Sequence, residues 1–179
     1  MAIPHLTYLD KYKRELFAPG YPDNVRTFYS PVDDVHRAIL DLINSATKSL
    51  IIAMYGYDDD DFDKAIQKKL KDEHIYVQMS LDKSQAGGVH EKELLAKWNP
   101  DLTGNSIAIG HSEKGAIQHM KMLIIDGIDV VTGSTNWSTS GESKQDNQMT
   151  VIRDPNVAAE ARSRIDIIHS NMQKQMAAK

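Results

Sequence analysis

The run Ile117-Gln-His-Met-Lys-Met-Leu-Ile-Ile-Asp-Gly-Ile-Asp-Val-Val-Thr-Gly-Ser-Thr-Asn-Trp137 reads as two strands joined by a turn. Gln118–Ile125 and Asp129–Asn136 are rich in β-branched and apolar residues, and Asp126-Gly127 between them is a hairpin turn signal. Side chains alternate across a strand, so His119 and Lys121 project from one face, and Ser134 and Asn136 are likewise two apart on the next strand. One pairing sets His119 opposite Asn136 and Lys121 opposite Ser134 and brings all four together; a slip of one residue would separate them. An imidazole, an ammonium, an amide and a hydroxyl on one face suit a phosphoryl group. The ammonium and amide hold non-bridging oxygens, and the imidazole attacks phosphorus or moves a proton near neutral pH. By the same alternation Asp126 faces away from His119, and geometry alone makes it a structural turn residue.

Outward from this hairpin the pattern is that of an α/β protein with a mixed β-sheet flanked by helices on both faces. Upstream, residues 1–25 carry Pro4, Pro19, Gly20 and Pro22 with little periodicity and read as an N-terminal arm. Thr27–Ser30 is extended. Pro31, Asp33 and Asp34 open a helix whose apolar positions Val35, Ile39, Ile43 and Ala46 recur at helical spacing. Leu50–Tyr57 and Ile75–Leu81 are strands, separated by a helix over Asp61–Asp72 with Phe62, Ala65, Ile66 and Leu70 on its apolar face. Lys64, Lys68, Lys69 and Lys71 form its solvated face. Lys83–Gly88 reads as a loop, Val89–Trp98 as a short helix, Ser106–Gly110 and Gln148–Ile152 as strands, and Asn156–Met176 as a closing helix.

Composition narrows the function classes. The chain has 179 residues, no cysteine and a net charge of −4 from 21 basic and 25 acidic side chains. It therefore has no disulfide, no thiolate metal site, no cysteine nucleophile and no bulk-basic coat for polyanions. No apolar run approaches the roughly 20 residues that span a bilayer, and the first residues lack the charge and hydrophobicity of a signal peptide, so a cytoplasmic location is expected. Asp58–Asp61 could hold a hard cation but fits better as a strand end and helix cap. His5, His36, His74, His90, His111 and His169 show no ligand spacing, and neither a metal nor a cofactor is expected.

His119, Lys121, Asp126, Gly133, Ser134 and Asn136 match without a gap the pattern His-x-Lys-x4-Asp-x6-Gly-Ser-x-Asn, and in this the chain resembles the phospholipase D superfamily. The likeness extends from about Thr27 to the last helix and is closest in kind to the small bacterial endonucleases that carry one motif per chain. The resemblance implies a phospholipase D-like catalytic domain over residues 26–179. It also implies a two-fold homodimer whose two motifs form one composite site, and metal-independent cleavage of a phosphodiester through a phosphohistidine. Carried over, His119 is nucleophile or general acid, Lys121 and Asn136 bind phosphate, and Ser134 assists, while Asp126 and Gly133 are motif positions of structural character. The implied partner is nucleic acid, DNA first, with no stable membrane association.

One position departs from the pattern. Eleven residues after Asn136, where the endonucleases carry a histidine-orienting Glu, this chain has Asn147. An amide can accept a hydrogen bond from the ring and fix its tautomer, but it cannot stabilise an imidazolium as a carboxylate does. Two other functions therefore stand beside the nuclease: phospholipid hydrolysis or phosphatidyl transfer, and nucleic-acid binding at a degenerate site.

Overall fold

Strand-sized runs that are apolar at consecutive positions demand cover on both faces, and this chain supplies it. The computed structural model describes residues 5–85, 105–138 and 142–178. Its strands are β1 (Val25–Ser30), β2 (Ser49–Met54), β3 (Tyr76–Asp82), β4 (Ser106–Gly110), β5 (Lys121–Ile125), β6 (Asp129–Gly133) and β7 (Asn147–Arg153). They form one seven-stranded sheet in the order β1-β7-β6-β5-β2-β3-β4. β2, β3 and β4 run parallel, and the other neighbours are antiparallel. The helices are α1 (Val35–Ser45), α2 (Asp60–Leu70) and α3 (Pro155–Ala177). Leu50, Ile52, Met54, Leu123 and Ile125 share one core with α1 and α2, while the alternate residues Ile51, Ala53 and Ile124 pack with Ala158 and Ile165 of α3. Each fully buried Leu or Ile contributes roughly 1.5–3 kcal/mol relative to exposure. The expected mixed sheet with helices on both faces is the observed architecture.

Local chemistry differs from the sequence expectation in several places. Residues expected as an arm are packed on the domain: Leu6 and Leu9, in a 3-10 turn over Leu6–Tyr12, are fully buried, and Arg26 binds Asp10 at 2.5 Å. α1 starts at Val35 rather than at Pro31, because Asp34 is its cap and accepts from Arg37 N. Asp33 is turned inward instead, accepting from the Tyr29 and Arg14 amides and from Lys13. Lys69 is not part of a solvated face; its ammonium donates to the carbonyls of Asn44 and Ala46 at the end of α1. His169, to which spacing assigned no role, joins α3 to the sheet through Ser80 of β3 and Ser106 of β4. The expected loop glycines Gly87 and Gly88 and the expected helix over Val89–Trp98 lie outside the described residues.

A further difference bears on the site. β5 and β6 pair Met122 with Thr132 and Ile125 with Asp129. That register is one residue away from the pairing that would set His119 against Asn136 and Lys121 against Ser134. Asp126 (φ 53) and Gly127 (φ 68) form the turn, closed by Ile128 N donating to Ile125 O. Asp126 thereby leaves the ladder, and its carboxylate accepts from Thr47 N, Thr47 Oγ1, Lys48 N and Ser49 N at 2.8–3.1 Å. Burial alone would raise the Asp126 pKa, but these donors outweigh it and hold it below the usual value. The motif Asp thus ties the hairpin to the start of β2.

Replacing Asp126 by Ala should lower unfolding free energy by about 2 kcal/mol in urea titrations, with Asn losing less because one acceptor oxygen remains. Because the folded pKa is depressed, the contribution is complete above the unfolded carboxyl pKa and disappears as pH falls through the lower folded value. The gap between wild type and Asp126→Ala should accordingly narrow in acid.

Candidate active site

The site is built where β2, β3 and β4 end and β5 begins, at the carboxyl edge of the parallel strands, the position at which open α/β sheets hold ligands. Met54, the last residue of β2, pairs with Lys121, the first of β5. One step beyond, Tyr55 N donates to Met120 O at 3.0 Å, which carries the ladder towards His119. The exposed His119 ring lies 4.7 Å from the Tyr55 ring in an edge contact, and Lys121 Nζ stands 5.0 Å above the same ring. Tyr55 thus positions both the imidazole and the ammonium, a role that periodicity alone did not suggest.

Lys121 is only 8% exposed. Its ammonium donates to the carbonyl of His119 at 2.9 Å, and among the described residues no carboxylate pairs with it. Burial lowers its pKa, with no charged neighbour to restore it. An ammonium in this condition favours an anion.

The other arm of the motif reaches the site by a different path from the one alternation suggests. At Gly133 the backbones of β6 and β7 close so tightly that a Cβ would stand 2.0 Å from Gln148 O. Ser134 then bonds β7 rather than β5. Its N–H donates to Gln148 O at 2.9 Å, its hydroxyl donates to Asn147 Oδ1 at 2.8 Å, and it accepts from Gln148 N at 3.0 Å. Asn147 also donates to Gln145 at 3.4 Å. The chain next crosses to the extension of β2, where Trp137 N donates to Gly56 O and Asp58 N to Trp137 O.

Asn136 is therefore seated against Gly56, beside Tyr55, rather than opposite His119 in a ladder. A Cβ on Gly56 would come within 3.1 Å of Asn136 Cγ, so only Gly leaves this seat open without a shift. Asn136 Oδ1 is buried with no hydrogen-bond partner among the described residues. The amide also lines an open cleft with Gly56, Tyr57, Asp58, Ser84, Gln85 and Ser138. Trp137 is core, packed edge-on against Phe62 at 5.3 Å. Asp126 lies at the other end of β5, remote in the ladder from Lys121. One end of the sheet thus carries an exposed imidazole and a buried ammonium without a counter-charge among the described residues, with hydroxyl and amide groups arrayed along the neighbouring backbone.

A family model described as cardiolipin synthase, PLD-like domain, matches residues 39–168. Among curated proteins the chain is similar to the mitochondrial cardiolipin hydrolase of Chlamydomonas reinhardtii, 28% identical over 151 residues that make up 83% of this chain and 63% of that protein. It spans less than two thirds of the length of each of the curated relatives it matches. Among solved structures it is similar to Nuc, a phospholipase D family member from Salmonella typhimurium, with a TM-score of 0.68 and 24% identity over 83% of this chain and 94% of that one. It is also similar to NucT from Helicobacter pylori, with a TM-score of 0.70 and 21% identity over 82% of this chain and 96% of that one. These two structures share its fold.

The Gly133 contact gives a direct test of how the site is held. Gly133→Ala should force β6 from β7, lower unfolding free energy by about 3 kcal/mol or more, and release Ser134 from Gln148. Urea denaturation reads the first effect. Loss of hydrogen-exchange protection at the Ser134 and Gln148 amides reads the second.

Proposed function

The chain belongs to the phospholipase D-like family, matched over residues 39–168, and from that footing we propose that it is a metal-independent phosphodiesterase acting on nucleic acid, DNA first, as a two-fold dimer with a composite site. The observation that carries this reading is the Lys121 ammonium, 8% exposed, without a carboxylate among the described residues and adjacent to His119. A phosphodiester supplies the missing negative charge. A net charge of −4 then concentrates phosphate recognition in this pocket, since the surface as a whole does not attract a polyanion.

The reaction needs a nucleophile and an acid on opposite sides of phosphorus, and one imidazole cannot be both at once. In the dimer one His119 attacks phosphorus to form a P–N bond while the symmetry-related His119 delivers its proton to the leaving oxygen as the P–O bond breaks. That second ring then takes a proton from water, whose oxygen displaces the first imidazole and regenerates the site. Lys121 and the Asn136 amide hold the non-bridging oxygens as charge develops, and Ser134 assists from its anchorage on β7. Asn147, bonded to Ser134, sets the orientation of this hydroxyl and, as an amide, contributes no charge to the imidazolium.

A second reading is phospholipid hydrolysis or phosphatidyl transfer, favoured by the likeness to a cardiolipin hydrolase. Among the described residues no helix is long and apolar enough to cross a membrane. The nucleic-acid reading rests on the single motif and its resemblance to the small endonucleases.

Purified protein assayed in excess EDTA against DNA, RNA and cardiolipin vesicles should cleave nucleic acid, with His119→Ala reducing the rate by about 10³-fold or more while leaving the unfolding midpoint unchanged. Selective turnover of the lipid establishes the second reading. Retained DNA binding with no turnover, restored by Asn147→Glu, identifies a degenerate site. Light scattering of the active species should give a dimer, and an active monomer overturns the composite site.

A further inference from the structure

Outside the His119–Lys121 site the described residues hold a side-chain cluster that the phosphodiesterase reading leaves unused. Glu142, in the segment that leads from Asn136 to Asn147, has a side chain 1% exposed, and neither of its oxygens has a hydrogen-bond partner among the described residues. It faces His36 on α1, with Nε2 at 3.8 Å from Oε2. The same Nε2 lies 3.4 Å from Asp59 Oδ1 and 4.0 Å from Asp61 Oδ2. His36 is stacked flat on Phe62 at 4.9 Å, which fixes its ring.

We propose that His36, Asp59 and Glu142 form a divalent-cation site of the class filled by zinc, clamping the segment after Asn136 onto α1 and the start of α2. One ligand atom from each of the three lies within 4.8 Å of the others. Tetrahedral ligation at about 2.0–2.2 Å places ligand atoms about 3.4 Å apart, close to the 3.4 and 3.8 Å found around His36 Nε2. One imidazole with two carboxylates is a borderline donor set for zinc, whereas calcium and magnesium favour a shell made wholly of oxygens. Two carboxylates balance a divalent charge, and Asp61, half-exposed at the mouth, leaves the fourth position to itself or to water.

Buried carboxylate oxygens are ordinarily satisfied by hydrogen bonds, and the two buried acids of the cluster differ in this respect. Asp59 Oδ1 caps α2 by accepting from Asp61 N and Phe62 N, so its place in the cluster is fixed by the backbone. Neither oxygen of Glu142 completes a hydrogen bond among the described residues, and the one backbone donor that acts on it, the Ser138 N–H, is outweighed by burial. Burial, with Asp59 and Asp61 adding negative potential, pushes the Glu142 carboxyl up to about 9. None of the three ligands belongs to the His119–Lys121 site, so the ion is structural and the chemistry proposed above does not pass through it. The run Asp58–Asp61 is then both a helix cap and part of a cation site, by way of one carboxylate.

The test is a titration of chelator-stripped protein with Zn²⁺, followed by calorimetry and by thermal unfolding. One equivalent should bind, and the melting temperature should rise by about 5 °C or more at a hundredfold excess over Kd. Glu142→Gln and His36→Gln should each weaken binding at least tenfold and remove the thermal gain. Glu142→Gln keeps the side-chain volume and removes the buried acid, so the stripped variant should melt no lower than the stripped wild type. Absence of saturable binding overturns the site, as does a thermal gain unchanged in both variants. Cleavage is not read in this experiment, so the phosphodiesterase reading and the cation site fail independently.

Discussion

The structure depends on a carboxylate at the opposite end of β5 from Lys121. Asp126 accepts three backbone N–H groups and a hydroxyl from Thr47–Ser49, and so joins the β5–β6 hairpin to the first residue of β2. To do so it leaves the ladder in a left-handed conformation, which moves the β5–β6 register by one residue. Antiparallel pairing carries that setting to the other end of the sheet, where Lys121 falls beside Met54 and Gly133 beside Met149. A register error cannot be absorbed along the way, because each one-residue slip exchanges the buried and exposed faces of a strand, and Leu123 and Ile125 serve one core while Ile124 serves the other.

At the far end the electrostatics are local. The protein carries more acid than base, yet among the described residues the ammonium of Lys121 has a carbonyl and an aromatic face for company and no counter-charge. Tyr55 is the hub: its ring meets His119, its face meets Lys121, and its neighbour Gly56 leaves room for Asn136. Desolvation without a partner charge is unfavourable in the free protein, and it is relieved when an anion arrives.

Glu142, between Asn136 and Asn147, presents the opposite case, a buried acid whose oxygens complete no hydrogen bond among the described residues. Ser30 Oγ donates to Gln145 O, and Glu142 points at His36 and Asp59, so this connection is fastened to β1, α1 and α2 together. Polar groups buried without partners are rare in folded proteins and mark places where something else completes the structure.

The sequence by itself determined the α/β class, nearly every described element, and the six motif residues, because these rest on local periodicity and on spacing along one chain. It also placed Asp126 in a turn, since alternation alone puts it away from His119. It could not supply the register of β5 on β6, because the turn chemistry admits neighbouring pairings and only the distant Thr47–Ser49 donors select one. It could not show that Ser134 is held by β7 and Asn136 by Gly56, because Gly133 ends the alternation on which the expected face was built. Lys69 was read as solvent-facing from its helical position, and only the end of α1, folded against it, offers the carbonyls that bury it. Likewise His36, Asp59 and Glu142 are scattered through the chain with no ligand spacing; the packing of α1, α2 and the segment after Asn136 is what brings one nitrogen and two carboxylates to the same point.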